Sequence, residues 1–441
     1  MKKMKIALLG GGSLYFEYVM AEIANTPELE AVEFMLFDVN VKRMDLMRRV
    51  GLRIMAKANT PHVVKATTHL ARALDGADFA IASIGVHGPG SGWHLIDSNT
   101  AAKCGIIHTT GDTVGPAGLS QGLRIIPIMV DIAKNMEKYC PEAILLNHSN
   151  PMAPICRAIT KYSSIRPIGY CHNVYNDISY LADVLGIKPA DLDVTVGGIN
   201  HCGWLLGIRH GGRDRYPELK RRLALRKPPT SQLFSQELFQ TMGLYPIGGS
   251  RHLIEFFPHA RTISSTRRLP YRLPWRSDTI RKNLLQLEIN KDPTGLVLKA
   301  AGKKDVWAPT TMTPEAMGRQ VKALSLGPSM IHIVNIPNRG AIPNLPDWAV
   351  VEVKAVVGQD GAQSVYAGEL PPQAARWTLA QIYAHELTIE AAIEKNRAKA
   401  IQALASDPMI RDFKEANKVF DAIVKAQGAR LRAFRKSRHR E

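Results

Sequence analysis

The run Ile6-Ala7-Leu8-Leu9-Gly10-Gly11-Gly12-Ser13 constrains this chain more than any other, because it reads as an apolar strand that enters a glycine turn and opens a helix. Gly10 and Gly12 allow a tight turn and a close approach to a pyrophosphate, whose charge then meets Ser13 and the free amides of the helix start. The third glycine of the full dinucleotide fingerprint is absent, since Tyr15 stands in its place. A second apolar run ends in Asp38, 26 positions beyond Gly12. A carboxylate there accepts hydrogen bonds from ribose hydroxyls and repels a 2′-phosphate, so the two features together predict a site for NAD rather than NADP. Gly85, at the close of a later strand, is small enough for a nicotinamide ribose to lie against the backbone.

Short apolar runs at 5–9, 32–37, 79–84, 143–146 and 167–170 read as buried strands, each stopping at Gly, Asn, Asp or Cys. Between them, 14–24, 42–56, 119–138 and 152–161 repeat their apolar residues at helical spacing. Strand and helix in alternation predict an α/β fold with a Rossmann-like, doubly wound parallel sheet, as in lactate and malate dehydrogenases. Ligands of such sheets sit beyond the carboxyl ends of the strands. Near residue 196 the pattern changes. A basic, proline-containing stretch at 209–274 shows little periodicity, helices are expected near 277–287 and 314–325, a strand at 330–336, and two long helices at 372–405 and 408–434. We therefore expect an NAD-binding unit over 1–196 and a C-terminal α+β unit over 197–441 for substrate, metal and oligomerisation.

Composition narrows the partners. No stretch approaches the roughly 20 uninterrupted apolar residues of a membrane span, and the opening MKKMKIALLGGG is too short and too glycine-rich to be a secretion signal. Five scattered cysteines suggest no disulfide framework and fit a reducing cytoplasm. The net charge of +18 raises the question of nucleic acid. Basic residues gather at 267–281 and in Lys425, Arg430, Arg432, Arg435, Lys436, Arg438 and Arg440, yet no zinc finger, RNA-binding aromatic motif or zipper heptad accompanies them. A solvated basic tail is the simpler account, and a small anionic substrate such as a uronate or sugar phosphate suits the same charge. We expect a homo-oligomer, a dimer or tetramer, with no nucleic-acid or membrane partner.

Two further segments bear on chemistry. Tyr170-Cys171-His172-Asn173 follows one strand and Gly198-Ile199-Asn200-His201 another. A thiolate and an imidazole from separate strand ends can converge on a divalent cation and leave positions open for substrate oxygens. Packing and turn capping explain such residues equally well from spacing alone. Asn147-His148-Ser149-Asn150-Pro151 ends another strand in a turn.

Taken in order, the glycine turn with Ser13, Gly111 to Pro116, Asn147 to Pro151, Cys171-His172-Asn173-Val174, Gly198 to His201, Asn335 to Pro346 before Val351-Glu352-Val353, and Leu404 to Pro408 resemble glycoside hydrolase family 4, the NAD- and manganese-dependent glycosidases. The resemblance spans essentially the whole chain. It implies cleavage by transient oxidation of the sugar at C3, loss of the acidified C2 proton, elimination of the glycosidic oxygen and addition of water, an exception to the two-carboxylate scheme of other glycosidases. It further implies Cys171 and His201 as metal ligands, Asn147 as a sugar contact, Asn150 as a cofactor contact, and His172 as a catalytic residue facing the substrate. A histidine after the cysteine resembles the members acting on unphosphorylated α-hexosides or α-uronides rather than the 6-phosphoglycosidases; Asn173 departs from the expected forms.

The loop where the family often carries its C2 base reads Leu244-Tyr245-Pro246-Ile247-Gly248-Gly249-Ser250-Arg251-His252. Ser250 and Arg251 stand near the expected position, and neither is a good base. Tyr245 is the expected substitute, with His252 metal-proximal, contacting the substrate or serving as the base in its place. Arg251 suits a substrate carboxylate. The rival readings are an NAD-dependent 2-hydroxy acid or sugar dehydrogenase, a 6-phosphoglycosidase and, more distantly, a nucleic-acid binder.

Overall fold

The computed structural model describes residues 3–85, 92–257, 270–290, 292, 294–307 and 313–435. Residues 267–269 of the basic stretch, Lys436, Arg438 and Arg440 lie outside them.

Six strands form the parallel core: β1 (Met4–Leu9), β2 (Val32–Phe37), β3 (Val63–Thr67), β4 (Phe79–Ala82), β5 (Ile144–Asn147) and β6 (Arg166–Gly169). They lie side by side in the order 6-5-4-1-2-3, all parallel. This is the doubly wound order expected, with the crevice where β1 and β4 diverge. Both faces are buried because alternate residues point to opposite sides. Ile6 and Leu8 join one hydrophobic cluster with Phe34, Ile81 and Leu146, under the helices Tyr15–Ala24 and Val41–Ala58. Ala7 and Leu9 join the other with Ala80 and Leu145, under the helices Gly115–Tyr139 and Met152–Tyr162.

The second half adds a hairpin, β7 (Asp193–Ile199) and β8 (Cys202–His210), with the short strands β9 (Arg213–Asp214) and β10 (Pro246–Ile247) beside β8. Residue 196 thus falls inside a strand. Three more strands, β11 (Met330–Pro337), β12 (Val350–Gly358) and β13 (Gly361–Ser364), continue the main sheet in antiparallel fashion from β6, giving nine strands in all. Both halves of the chain therefore share one sheet.

Several elements differ from the sequence reading for local reasons. The stretch 209–274 contains the helices Tyr216–Leu225 and Leu233–Met242; the first buries only Leu219 and Leu223, one turn apart, so its apolar stripe is too short to show as periodicity. The long helix expected over 372–405 breaks in two, because Lys395 turns left-handed at φ 55° and the Asn396 side chain caps a new helix by accepting from the Lys399 amide. The last helix starts at Phe413 rather than 408, where Asp412 caps the Glu415 amide. Among the described residues no helix is long and apolar enough to cross a membrane. The five cysteines are free.

Candidate active site

The glycine turn closes β1 as expected. Gly10 adopts φ +86°, and a side chain there would strike the Ser83 carbonyl at 2.5 Å. Ser13 Oγ lies 2.9 Å from Ser83 Oγ, so the ends of β1 and β4 are tied together across the crevice. Asp38 lies at the end of β2, where its carboxylate accepts from the Gly12 amide at 2.8 Å and from the Asn40 amide at 2.8 Å. Arg43 Nε donates to the Gly12 carbonyl at 2.7 Å and lies against Gly12, where any larger residue would collide with it. Gly85 is exposed at the mouth of β4, and the Ile84 amide beside it is fixed by Ser149 Oγ at 2.8 Å.

Beyond the ends of β5 and β6, four side chains from four segments meet. Cys171 follows β6, His201 sits at the tip of the β7–β8 hairpin, His252 lies in the short helix Gly249–Leu253, and Asp112 precedes the helix Gly115–Tyr139. Cys171 Sγ lies 3.6 Å from His201 Nε2. The His201 and His252 rings have centroids 3.7 Å apart, and Asp112 Oδ1 is 3.8 Å from Nδ1 of each. Asp112, His201 and His252 can all place a donor atom within 4.8 Å of one another.

The hydrogen bonds fix the tautomer of His201. Asp112 as a carboxylate only accepts, so the single proton of Thr113 Oγ1 goes to it at 2.9 Å. His201 Nδ1, 2.9 Å from the same hydroxyl oxygen, must therefore donate. This leaves the lone pair of Nε2 facing the sulfur. Donors about 2.1–2.3 Å from a shared ion stand about 3–3.6 Å apart, which the sulfur–nitrogen separation matches. Burial, reinforced by His252, brings the His201 pKa down to about 3, so the ring is neutral. Burial, with Glu352 nearby, pushes the Cys171 thiol well above its ordinary range, and the Asn173 amide, 3.5 Å away, points at the sulfur and favours its charged form. A bound cation is what would keep this sulfur ionised at neutral pH. Although burial alone would raise Asp112, His252 and His201 hold its carboxyl well below the usual range.

Buried acids brace the loops that carry these groups. Glu255 accepts from the amides of Thr109, Thr110 and Gly111 at 2.7, 2.8 and 3.0 Å and lies 3.2 Å from His108 Nδ1. Its pKa falls to about 2, because His108 and these amides outweigh burial, which alone would raise it. Asp177 accepts from the Gly248 and Gly249 amides at 2.7 and 3.1 Å and so seats the loop that leads to His252.

The expected site residues fare unevenly. Cys171 and His201 come together, and His252 joins them on the metal side of the crevice. His172, largely exposed, pairs through Nδ1 with the buried Glu315 at 3.1 Å, which raises its pKa. Asn150 directs its amide to Asp112 Oδ2 at 3.2 Å rather than toward the glycine turn. Arg251 donates from Nη2 to the Thr109 carbonyl at 3.3 Å.

Two expectations need correction. Tyr245 cannot be the C2 base: it is wholly buried, packed on Phe239, and its hydroxyl donates to Gln232 Oε1 at 2.9 Å. Asn147 cannot contact a sugar, since it is wholly buried and its amide is engaged with the Ser149 carbonyl in its own turn and with the sulfurs of Met152 and Cys156 in the helix that follows. Ser250 is also buried, accepting from the Phe234 and Ser235 amides. The sequence reading missed Asp112 and Glu315 as site groups. Asp112 had a signal in the Gly111-Asp112-Thr113 turn, whereas nothing local marks Glu315, which reaches His172 from 143 residues away.

The family 4 glycosyl hydrolase model matches residues 5–187, and the model of that family's C-terminal domain matches 196–410. An α-galactosidase of Bacillus subtilis is 32% identical over 92% of this chain and 93% of its own length. An α-galacturonidase of the same organism is 29% identical over 95% and 96%. Among solved structures, lplD from Bacillus subtilis superposes with TM-score 0.85 at 26% identity, covering 96% of this chain and 100% of its own. A 6-phospho-α-glucosidase from gut microorganisms, in complex with NAD and Mn2+, gives 0.82 at 22% identity over 97% and 99%. A lactate dehydrogenase from Eimeria maxima shares the fold more loosely, with TM-score 0.52 over 89% and 96%. By its two matched family models and its full-length relatives, the chain belongs to family 4 of the glycosyl hydrolases.

Proposed function

We propose that this chain is a cytoplasmic, homo-oligomeric glycosidase that uses NAD and a divalent metal, manganese being the expected ion, to cleave an unphosphorylated α-hexoside or α-uronide. One observation supports it above the rest: Cys171 Sγ faces the lone pair of His201 Nε2 at 3.6 Å, with Asp112 and His252 around them, at the edge of the dinucleotide crevice. A sulfur that a cation would keep ionised, beside a neutral imidazole whose lone pair faces it, is a pair suited to holding a divalent metal. The names of the relatives, α-galactosidase and α-galacturonidase, support the unphosphorylated substrate class.

The donor set fits a divalent cation, and the glycine turn with Asp38 fits a dinucleotide. When bound, NAD would accept hydride from the sugar C3 and the metal would polarise the oxygens on C2 and C3. The chain's own residues then have defined tasks. Cys171 and His201 would hold the ion, with His252 and Asp112 completing or orienting the set. Gly10, Gly12, Ser13, Asp38 and Gly85 would seat the dinucleotide. With Tyr245 and Ser250 buried, the exposed imidazole of His172, oriented by Glu315, is the group that takes or returns a proton at the sugar. Asn150 keeps Asp112 in place.

Cys171→Ser and His201→Ala should each abolish manganese-dependent cleavage of aryl α-glycosides while NAD binding, followed by fluorescence, stays within about twofold. Wild-type turnover by either variant in chelated, metal-free buffer would remove the site assignment. Release of stoichiometric NADH with an oxidised product would instead favour the dehydrogenase reading.

A further inference from the structure

The helix Tyr15–Ala24, which opens at the glycine turn, carries two buried acids, Glu17 and Glu22. Both are engaged by one distant stretch of the chain. Glu17 accepts from Lys299 Nζ at 2.7 and 2.8 Å and from the Trp307 amide at 2.7 Å, and the Trp307 ring meets Tyr18 edge-on at 4.8 Å. Glu22 accepts from the Thr313 amide at 2.5 Å. Gly318, in the first turn of the helix Met317–Ser325, lies so close that a side chain there would strike the Glu22 carbonyl at 2.8 Å.

The contact at Thr313 bears on the site. Thr313-Pro314-Glu315-Ala316 is a β-turn: the Thr313 carbonyl accepts from the Ala316 amide at 3.0 Å, and Pro314 stands at the second position, where its fixed φ suits such a turn. Glu315 is the third residue, and its carboxylate lies 3.1 Å from His172 Nδ1. Glu22 therefore grips the first residue of the turn that presents Glu315. On the far side the helix Met317–Ser325 is tied to the end of β6, since Gln320 Oε1 accepts from the Tyr170 hydroxyl at 3.2 Å. A hydrogen bond from an amide to a buried carboxylate is among the strong ones, and without its acceptor the Thr313 amide would have to move to find another.

We propose that Glu22 is a positioning residue for proton transfer at the sugar: by fixing the Thr313 amide it sets the turn so that the Glu315 carboxylate holds His172. The inference rests on the glycosidase reading, in which His172 moves that proton. Glu22 acts only through Glu315, so its loss should reproduce the loss of Glu315 and add nothing to it.

Steady-state kinetics on the protein loaded with NAD and Mn2+ should compare methyl and nitrophenyl α-glycosides. Glu22→Ala should lower kcat about tenfold for the methyl glycoside and about twofold or less for the nitrophenyl one, whose leaving group needs no proton. Glu22→Gln, which keeps a carbonyl acceptor for the Thr313 amide, should restore most of the loss. In a Glu315→Ala background Glu22→Ala should cost nothing further. If Glu22→Ala fails to fold, Glu22→Met, which fills the space without offering that acceptor, is read in the same way. Equal losses on both glycosides, the same loss in the Glu315→Ala background, or a Gln variant no better than Ala would overturn the positioning role. Crystal structures of the variants give a reading independent of turnover: in Glu22→Ala or Glu22→Met the Glu315 carboxylate should stand beyond hydrogen-bond reach of His172, and in Glu22→Gln it should keep its place. Displacement of Glu315 in a protein that cleaves no glycoside would remove the hydrolase reading alone. Cleavage with Glu315 unmoved in Glu22→Ala or Glu22→Met would remove the positioning role alone.

Discussion

His201 occupies the tip of the β7–β8 hairpin with φ 68°, a left-handed conformation that costs a non-glycine residue roughly 1 kcal/mol. The turn aims Nε2 at Cys171 while Thr113 holds the other nitrogen, so the local backbone and one hydroxyl together select the ligand-competent tautomer. His172 is oriented by the same kind of device, here through Glu315. If Glu315 acts through that ring, Glu315→Ala should lower kcat about tenfold or more for alkyl glycosides and much less for nitrophenyl glycosides, whose leaving groups need no proton. Repeated in a His172→Ala background, the substitution should cost nothing further; an equal loss there would show a structural role instead. At this scale the sequence was legible in placement, as in the left-handed turn at Gly10, Asp38 at the end of β2 and the meeting of Cys171 with His201. It misled where an expected functional type fills a core position. Tyr245 follows a glycine turn in a plausible loop, yet its ring packs against Phe239 and its hydroxyl is satisfied by Gln232, contacts that no local pattern announces.

Elements reach the site through buried acids. Glu255 ties the segment 108–111 to the segment 249–256 and so sets Asp112 against His252. Its pKa of about 2 lies below the unfolded value of about 4.3, so the unfolded chain binds more protons and stability rises with pH across that interval. The contribution, about 3 kcal/mol by that difference, is complete above roughly pH 5 and disappears toward pH 2. Urea denaturation should therefore show Glu255→Gln less stable than wild type at pH 7 by about 2–3 kcal/mol, with the gap narrowing as pH falls below 4. A gap independent of pH would contradict the carboxylate's role. The parallel strands were legible because each is a short apolar run between turns. β3 was not, since Val63–Thr67 is an edge strand with an exposed lysine at its centre. The helix Trp93–Lys103 escaped notice because WHLIDSNTAAK has no apolar stripe, its buried face being made of His94, Asp97, Ser98 and Ala101.

Across the whole molecule, the C-terminal half is bound into the nucleotide-binding half. β11 to β13 extend the main sheet, and the last helix, Phe413–Gln427, buries Val419, Phe420 and Ile423 in the same cluster as Leu123 and Ile126. A buried network ties it down: Asp97 accepts from Arg124 Nη2 at 2.7 Å and from Gln427 Nε2 at 2.6 Å. Removing residues 411–441 would expose that apolar face and leave Asp97 short of a donor, so the shortened chain should lose cooperative thermal unfolding; a sharp transition near the full-length Tm would contradict it. Residue 196 lies in β7, the first strand of the second sheet, so the change of sequence pattern there coincides with a change of topology.

In the proposed reaction a proton leaves sugar C2, in the crevice between the glycine turn and the Cys171–His201 pair, before the glycosidic bond breaks. The most direct measurement is mass spectrometry and proton NMR of the sugar released from a cleaved α-glycoside or α-uronide in D2O, with NAD at catalytic amounts and Mn2+ present. Each turnover should leave one non-exchangeable deuterium, located at C2. Product free of deuterium at C2, formed at the same rate without NAD, would contradict it.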